Sequence, residues 1–263
     1  MEKNIKSENF EIKKIFNKFA FPKNSILFIH SDITNYSTHS KSWLEKCGNL
    51  YNFFNDYFKN NTIAVPTFTY SFCKNKKFDL IKSPSEVGIF TEYFRIQENV
   101  VRSNHPIFSI AAKGKYAKIL TDNLSNSSTG DGSIFEKLKV FDAYILFFGS
   151  GFIQSCTFLH YIEQCKKVNY RYSKYFRGKA KIHNRFYDDI WEFYVRNTEI
   201  YKFKDWGKNP LIERDLKKNK LLIEKCTKNL KISYCSARKI FKFISKKLEN
   251  NENYIIGSKP TKL

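Results

Sequence analysis

Long apolar runs are missing from this sequence. No stretch approaches the ~20 residues that a membrane-spanning helix needs, and the longest candidate, Ala143 to Phe152, has the length of a strand. The N-terminus alternates lysine and glutamate with no apolar segment, which reads against a secretory leader and makes a cytoplasmic location the expectation. The six cysteines include no CxxC pair and no zinc-like spacing, so reduced, mostly buried thiols and no metal are expected. With 6 prolines and 10 glycines, no Pro/Gly-rich linker divides the chain. The 263 residues therefore read as a single domain, 1–263, in which a basic C-terminal subdomain from about residue 165 is an open alternative.

Acidic residues and arginine are also short. Asp and Glu number 25 against 46 Lys and Arg, a formal net charge of +21, and only 8 of those 46 are arginine. Residues 1–163 hold 20 basic and 15 acidic residues; residues 164–263 hold 26 and 10. The excess fits an anionic partner such as a coenzyme or nucleotide. It equally fits the lysine bias of an A/T-rich genome, and the scarcity of arginine, the better phosphate fork, favours that second explanation. A 42% hydrophobic and 17% aromatic composition supplies enough apolar material for a core.

Periodicity organises that material. Ile12, Ile15, Phe16 and Phe19 trace an amphipathic helix, and Trp43, Cys47, Leu50, Tyr51, Phe54 and Phe58 a second. Val87, Phe90 and Phe94 mark a third, and Ser133 to Leu138 a fourth, with Ser133 in N-cap position. Strands are expected at Ser25–Ile33, Thr62–Phe68, Ile107–Ala112 and Ala143–Gly149, and a helix from Thr157. This alternation predicts a layered α/β fold. The tail predicts a strand at Trp191–Arg196, a helix near Leu211–Cys226, a strand at Leu230–Tyr234, and a helix carrying Ile240, Phe241, Ile244 and Leu248.

Four local patterns bear chemistry. In Thr157-Phe-Leu-His160-Tyr-Ile-Glu163, three-residue spacing puts Thr157, His160 and Glu163 on one helical face. A carboxylate bonded to one imidazole nitrogen sets the tautomer and raises the basicity of the other, as a general base requires; an exposed His–Glu surface pair is the alternative. In Arg102-Ser-Asn-His105-Pro106, the proline holds His105 away from helical geometry, as in any turn histidine or one turned into a cleft. His30-Ser31-Asp32 stands at the end of the first strand, where open α/β sheets bind ligands. Strand alternation prevents those three from forming a triad among themselves. Gly130-Asp-Gly-Ser133 leads into a helix and offers a phosphate cradle, though without a P-loop lysine.

The order of HSDI (30–33), VPTFTYSF (65–72), SPSEVGIFTEYFR (83–95), VRSNHPIFSIAAKGKYA (101–117), GDGSIFEKL (130–138), FFGSGFIQSCTFLHYIE (147–163) and NYRYSKYFRG (169–178) resembles the aminoglycoside 3-N-acetyltransferase family. The resemblance implies a three-layer α/β sandwich around a mixed sheet, not the GNAT fold, and a cleft that takes acetyl-CoA and an amine. It implies His160 as the base, Glu163 as its orienting partner and Thr157 beside them. It places His30, Ser31, Asp32, Thr67, Phe68, Thr69, Ser103, His105 and Ser133 in segments that contact coenzyme A. For the acceptor it points to Tyr70, Glu92, Gln154, Arg171 and Lys174, with Arg177 nearby. Gln154 stands where antibiotic-modifying members usually carry Asp, and Asp32 where a second Ser is common. Members from bacterial surface-sugar gene clusters are more similar in this stretch.

The resulting expectation is direct acetyl transfer from acetyl-CoA to an amino sugar, nucleotide-linked, with a homodimer left open and no specific nucleic acid. The competing expectations are an aminoglycoside resistance enzyme, an inactive family member that only binds coenzyme A, and a nucleic-acid binder. The last would stack bases on Tyr170–Phe176.

Overall fold

The structure, a computed structural model, describes residues 2–36, 40–204 and 209–262. The chain opens with helix α1 (Glu2–Phe19), strand β1 (Ile26–Ser31), helix α2 (Trp43–Tyr57) and strand β2 (Thr62–Pro66). Short elements follow: α3 (Phe72–Asn75), β3 (Lys77–Asp79), α4 (Ile89–Arg95), β4 (Val101–Arg102), β5 (Ile110–Lys113) and α5 (Ala117–Thr121). Next come α6 (Ile134–Val140), β6 (Tyr144–Phe148), α7 (Phe152–Ser155) and α8 (Phe158–Cys165). The rest holds β7 (Arg171–Ile182), β8 (Arg185–Arg196), β9 (Tyr201–Lys202), α9 (Leu211–Lys218), β10 (Ile223–Cys226), β11 (Lys231–Ser236), α10 (Ala237–Asn250) and β12 (Thr261–Lys262).

Seven strands form a mixed sheet in the order β10-β11-β6-β1-β2-β5-β4. β6, β1 and β2 run parallel at its centre, and β11 and β5 flank them antiparallel. The central strands are apolar at nearly every position because both faces are covered. Ile26 and Phe28 of β1 and Ile145 and Phe147 of β6 enter one core with α6, α8 and α10. Leu27 and Ile29, with Leu146 and Phe148, enter the other with α1, α2 and α4. Strand alternation thus assigns successive residues to opposite cores and produces three layers.

The helix periods are realised at Ile12, Ile15, Phe16 and Phe19 and at Cys47, Leu50 and Phe54, all buried. Trp43, expected on the buried face of α2, is 49% exposed at its first turn. The helix expected over Leu211–Cys226 stops at Lys218. Lys220 turns the chain with φ of 54°, and Ile223–Cys226 becomes edge strand β10 against β11. The 12-residue hairpin strand β7 has no counterpart in the sequence reading. It pairs along its whole length with β8, and β3 joins it in a second, three-stranded sheet. Its alternation is masked because the hairpin's outer face carries Tyr175, Phe186 and Ile190, all exposed, as well as charged residues.

The parallel run of β1, β2 and β6 brings their C-terminal ends to one edge of the sheet. After β6 the chain reverses at Gly149, whose φ is +73°. A Cβ there would stand 2.0 Å from the Asp32 carbonyl oxygen, so a larger residue cannot be accommodated without moving the chain just after β1. The tight turn delivers α7 and α8 beside the ends of β1 and β2. No helix among the described residues is long and apolar enough to cross a membrane.

Candidate active site

Thr157 is the N-cap of α8, and its side chain makes no capping bond. One turn on, His160 Nδ1 lies 2.8 Å from Glu163 Oε2. Glu163 is fully buried and receives two further groups: Tyr170 donates its hydroxyl to Oε1 at 2.9 Å, and Arg171 Nε ion-pairs with Oε2 at 2.8 Å. Arg171 Nη1 donates to the Tyr194 carbonyl at 3.0 Å. Nδ1 also lies 2.9 Å from Arg171 Nη2, and one tautomer cannot bond to both. The buried carboxylate decides: it needs donors, so Nδ1 carries the proton and gives it to Glu163. Nε2 is then the free base, on a ring whose side chain keeps 30% of its surface accessible.

Electrostatics agree with that assignment. Burial opposes ionisation of Glu163, but Arg171 and His160 outweigh it and hold the carboxyl well below the usual carboxylate range. Burial and the Arg171 charge push the imidazole of His160 below its ordinary value against the pull of Glu163, so the ring is neutral near pH 7. A neutral imidazole with Nε2 open to a cleft can accept a proton from an attacking amine.

That cleft, of about 330 Å³, is lined by His160, Thr157, Gln154, Tyr70, Phe193 and Arg196 together with apolar residues from α9 and the C-terminal segment. Tyr70, Gln154, Ser155 and Thr157 also line an adjoining cavity of about 200 Å³, which runs to His30, Ser31 and Phe68. Ser31 then borders a third pocket with Asp32, Thr34, Trp43 and Gly88. The fold therefore strings His160, Thr157, His30, Ser31 and Asp32 along one path at the strand ends.

Most other candidates lie off this path, Arg171 excepted, which lines the His160 cleft. Thr67 Oγ1 contacts Ser109 Oγ at 3.1 Å, and Thr69 Oγ1 donates to the Pro84 carbonyl at 2.8 Å. Ser103 Oγ accepts from Ile110 N–H, and His105 Nδ1 from Phe108 N–H at 3.0 Å. Burial lowers His105 to about 4, and this ring lines a separate small pocket against the hairpin. Ser133 caps α6 through Glu136 N–H. The Gly130–Ser133 loop satisfies itself: Gly132 N–H donates to Glu136 Oε2 at 2.7 Å and Gly130 N–H to Ser127 Oγ at 2.9 Å, which leaves these two amides no phosphate to hold. Glu92 forks to Arg95, Lys174 is exposed on the hairpin, and Arg177 pairs with Asp188 at the surface. Arg171, expected to meet the acceptor, is only 5% exposed and committed to Glu163. In the Tyr170–Phe176 segment, Tyr170 is fully buried and Phe176 packs on the core, while Tyr175 is exposed on the hairpin's outer face. Sequence reasoning passed over Arg196, which β7–β8 pairing sets opposite Arg171 and which lines the cleft.

Cys156 borders the cleft four residues before His160 but is buried, and burial pushes its thiol up to about 12. A protonated thiol is a poor nucleophile. Intact-protein mass spectrometry after mixing with acetyl-CoA alone is expected to show no acetyl adduct; a stable single adduct on Cys156 would sink direct transfer. Among the described residues no group of three His, Cys, Asp or Glu is placed to hold a metal ion.

A mixed α/β sandwich in which His160 pairs with the buried Glu163 beside a cleft at the ends of parallel strands has the fold of the non-GNAT acetyltransferases. The chain belongs to the aminoglycoside 3-N-acetyltransferase family, whose sequence model matches residues 42–249; these enzymes transfer the acetyl group of acetyl-CoA to an amine. It is 37% identical over 73 residues to the SPbeta prophage-derived aminoglycoside N(3')-acetyltransferase-like protein YokD of Bacillus subtilis (strain 168). That alignment spans only 27% of this chain and 27% of YokD. The fold is similar to a mutant of aminoglycoside acetyltransferase AAC(3)-IVa in complex with a gentamicin, with TM-score 0.76 and 19% identity over 94% of this chain and 90% of that one. It is likewise similar to AAC-IIIb as a binary complex with CoASH, with TM-score 0.74 and 14% identity over 92% and 96%.

Proposed function

We propose that this protein acetylates the amine of a nucleotide-linked amino sugar, by direct transfer from acetyl-CoA, in surface polysaccharide or glycan biosynthesis in the cytoplasm. His160 Nε2 takes a proton from the incoming ammonium or its adduct, Glu163 holds the ring, and the free amine attacks the thioester carbon. The adduct collapses to amide and thiolate; of the two protons the ammonium nitrogen gives up, the one held at Nε2 returns to the leaving sulfur and the other leaves to solvent.

The observation that carries the acceptor reading is the lining of the cleft. Beside His160 it presents Arg171, Arg196, Gln154, aromatic rings and aliphatic side chains, and no Asp or Glu among the described residues. Glu213, next to Ile153, accepts from that residue's N–H at 3.2 Å and pairs with Lys217. An aminoglycoside is a polycation and needs carboxylates to replace its hydration; a sugar nucleotide is an anion that a basic cleft attracts, subject to salt screening. The aminoglycoside alternative is favoured by the gentamicin complex of the AAC(3)-IVa neighbour.

The expected outcome is a higher kcat/KM for a UDP- or dTDP-linked amino sugar than for kanamycin or gentamicin, measured by thiol release at low and moderate salt. An aminoglycoside preference of tenfold or more would reverse the acceptor reading and make this a resistance enzyme.

A further inference from the structure

Direct transfer drives negative charge onto the thioester oxygen, and something must meet it. Three buried polar atoms lack any hydrogen-bond partner around the cavity that joins the His160 cleft to the strand ends: His30 Nε2, Ser31 Oγ and Thr157 Oγ1. Unpaired buried polar groups are costly and call for an explanation. Thr157 lies more than 120 residues along the chain from His30 and Ser31, yet all three line one cavity.

We propose that Thr157 Oγ1–H and His30 Nε2–H form the oxyanion site, both donating to the acetyl carbonyl oxygen of the bound thioester while His160 activates the amine. Thr157 lines both the cleft and the adjoining cavity, and stands one helical turn before His160 on the same face. The acyl carbon is therefore bracketed where the two spaces meet, with the base on one side and the donors on the other. As the C–N bond forms, the carbonyl π pair moves to oxygen, where the two donors hold it. It returns as the C–S bond breaks and the thiolate leaves.

His30 suits the part of donor and not that of base. Its ring is 5% exposed, stacked on Phe147 at 5.5 Å and edge-on to Phe28. Burial lowers it to about 3, so it stays neutral and offers one N–H. The Thr157 hydroxyl is equally uncommitted, because it neither caps α8 nor meets another side chain. Ser31, next along the cavity, is left for the pantetheine arm.

The inference rests on acetyl-CoA as donor and is independent of the acceptor. The test is isotope-edited infrared spectroscopy of carbonyl-¹³C acetyl-CoA bound to the protein without acceptor, run beside turnover. In the wild type the bound carbonyl stretch should fall below its value in water. Thr157→Val and His30→Phe should each lose much of that shift and lower kcat by ~10²–10³-fold, the usual loss for one such donor. The dissociation constant of coenzyme A should change by no more than a small factor. Thr157→Ser should keep most of both signals. An unshifted carbonyl in the wild type overturns the proposal while thiol release on an amine leaves acetyl transfer standing. So does a variant that loses turnover with the shift intact, since that loss is structural. Failure of acetyl-CoA to bind at all overturns both.

Discussion

His160→Ala should lower kcat by at least ~100-fold while coenzyme A binding is nearly unchanged. The imidazole acts on a proton in flight, so its removal costs the transition state far more than the ground state; a positioned base contributes ~10²–10⁴-fold, or roughly 3–5 kcal/mol. His160 lines the cleft proposed for the acceptor and is absent from the lining of the cavity that runs to Ser31, which is why donor binding should survive. Glu163→Gln keeps an acceptor for Nδ1–H but removes the charge that neutralises Arg171, so it should cost less activity than His160→Ala and more stability. Single-turnover thiol release, with the coenzyme A dissociation constant measured separately, checks both. Near-normal turnover in His160→Ala would remove this residue from the mechanism.

Arg171→Ala should be the most destabilising single change at the site. It strips a fully buried carboxylate of its permanently charged partner and leaves Glu163 with Tyr170 and an imidazole. Breaking one side of a buried pair costs about 3–5 kcal/mol, because the remaining charge has lost its partner and cannot reach water. In a chain of this size each kcal/mol is worth roughly 2–4 °C of Tm. The same change has a kinetic signature that bare destabilisation lacks. Arg171 helps to push the imidazole of His160 below its ordinary value. Without that cation the ring holds its proton to higher pH. The base works only when deprotonated, so activity is lost as pH falls through its pKa, and the acid limb of kcat/KM should move to higher pH. A urea titration reads the first effect and a pH–rate profile the second. An unmoved acid limb would mean that Arg171 does not act on the base.

These two residues also mark how far the sequence could be read. His160 and Glu163 are three apart on a helix, so their contact follows from local geometry. The apolar runs Ile26–Ile29 and Tyr144–Phe148 likewise announce buried strands, and with the intervening helices they specify a layered fold before any contact is known. The C-terminal cleft wall was harder. In β7, exposed tyrosine and lysine alternate with inward small residues, Gly178 and Ala180, which gives no apolar period to detect. Over Leu211–Cys226 a helical pattern continued past the point where pairing with β11 captures the chain as strand, since the edge of the main sheet offers hydrogen bonds that propensity does not foresee.

By itself the sequence determined that an imidazole and a carboxylate meet as a pair, because both sit within one turn of α8. It also determined that the sheet is covered on both faces, because its central strands are apolar almost throughout. Tertiary structure alone decided the rest. It turned Arg171 inward to Glu163, although an arginine in a basic segment reads as solvent-facing. It closed His105, Ser103 and Ser133 into backbone hydrogen bonds, because a buried amide takes whatever acceptor the fold brings near. It also brought His30 and Thr157 to one cavity, because β1, β2 and β6 run parallel and end at one edge, and only that shared edge gathers residues so distant in the chain.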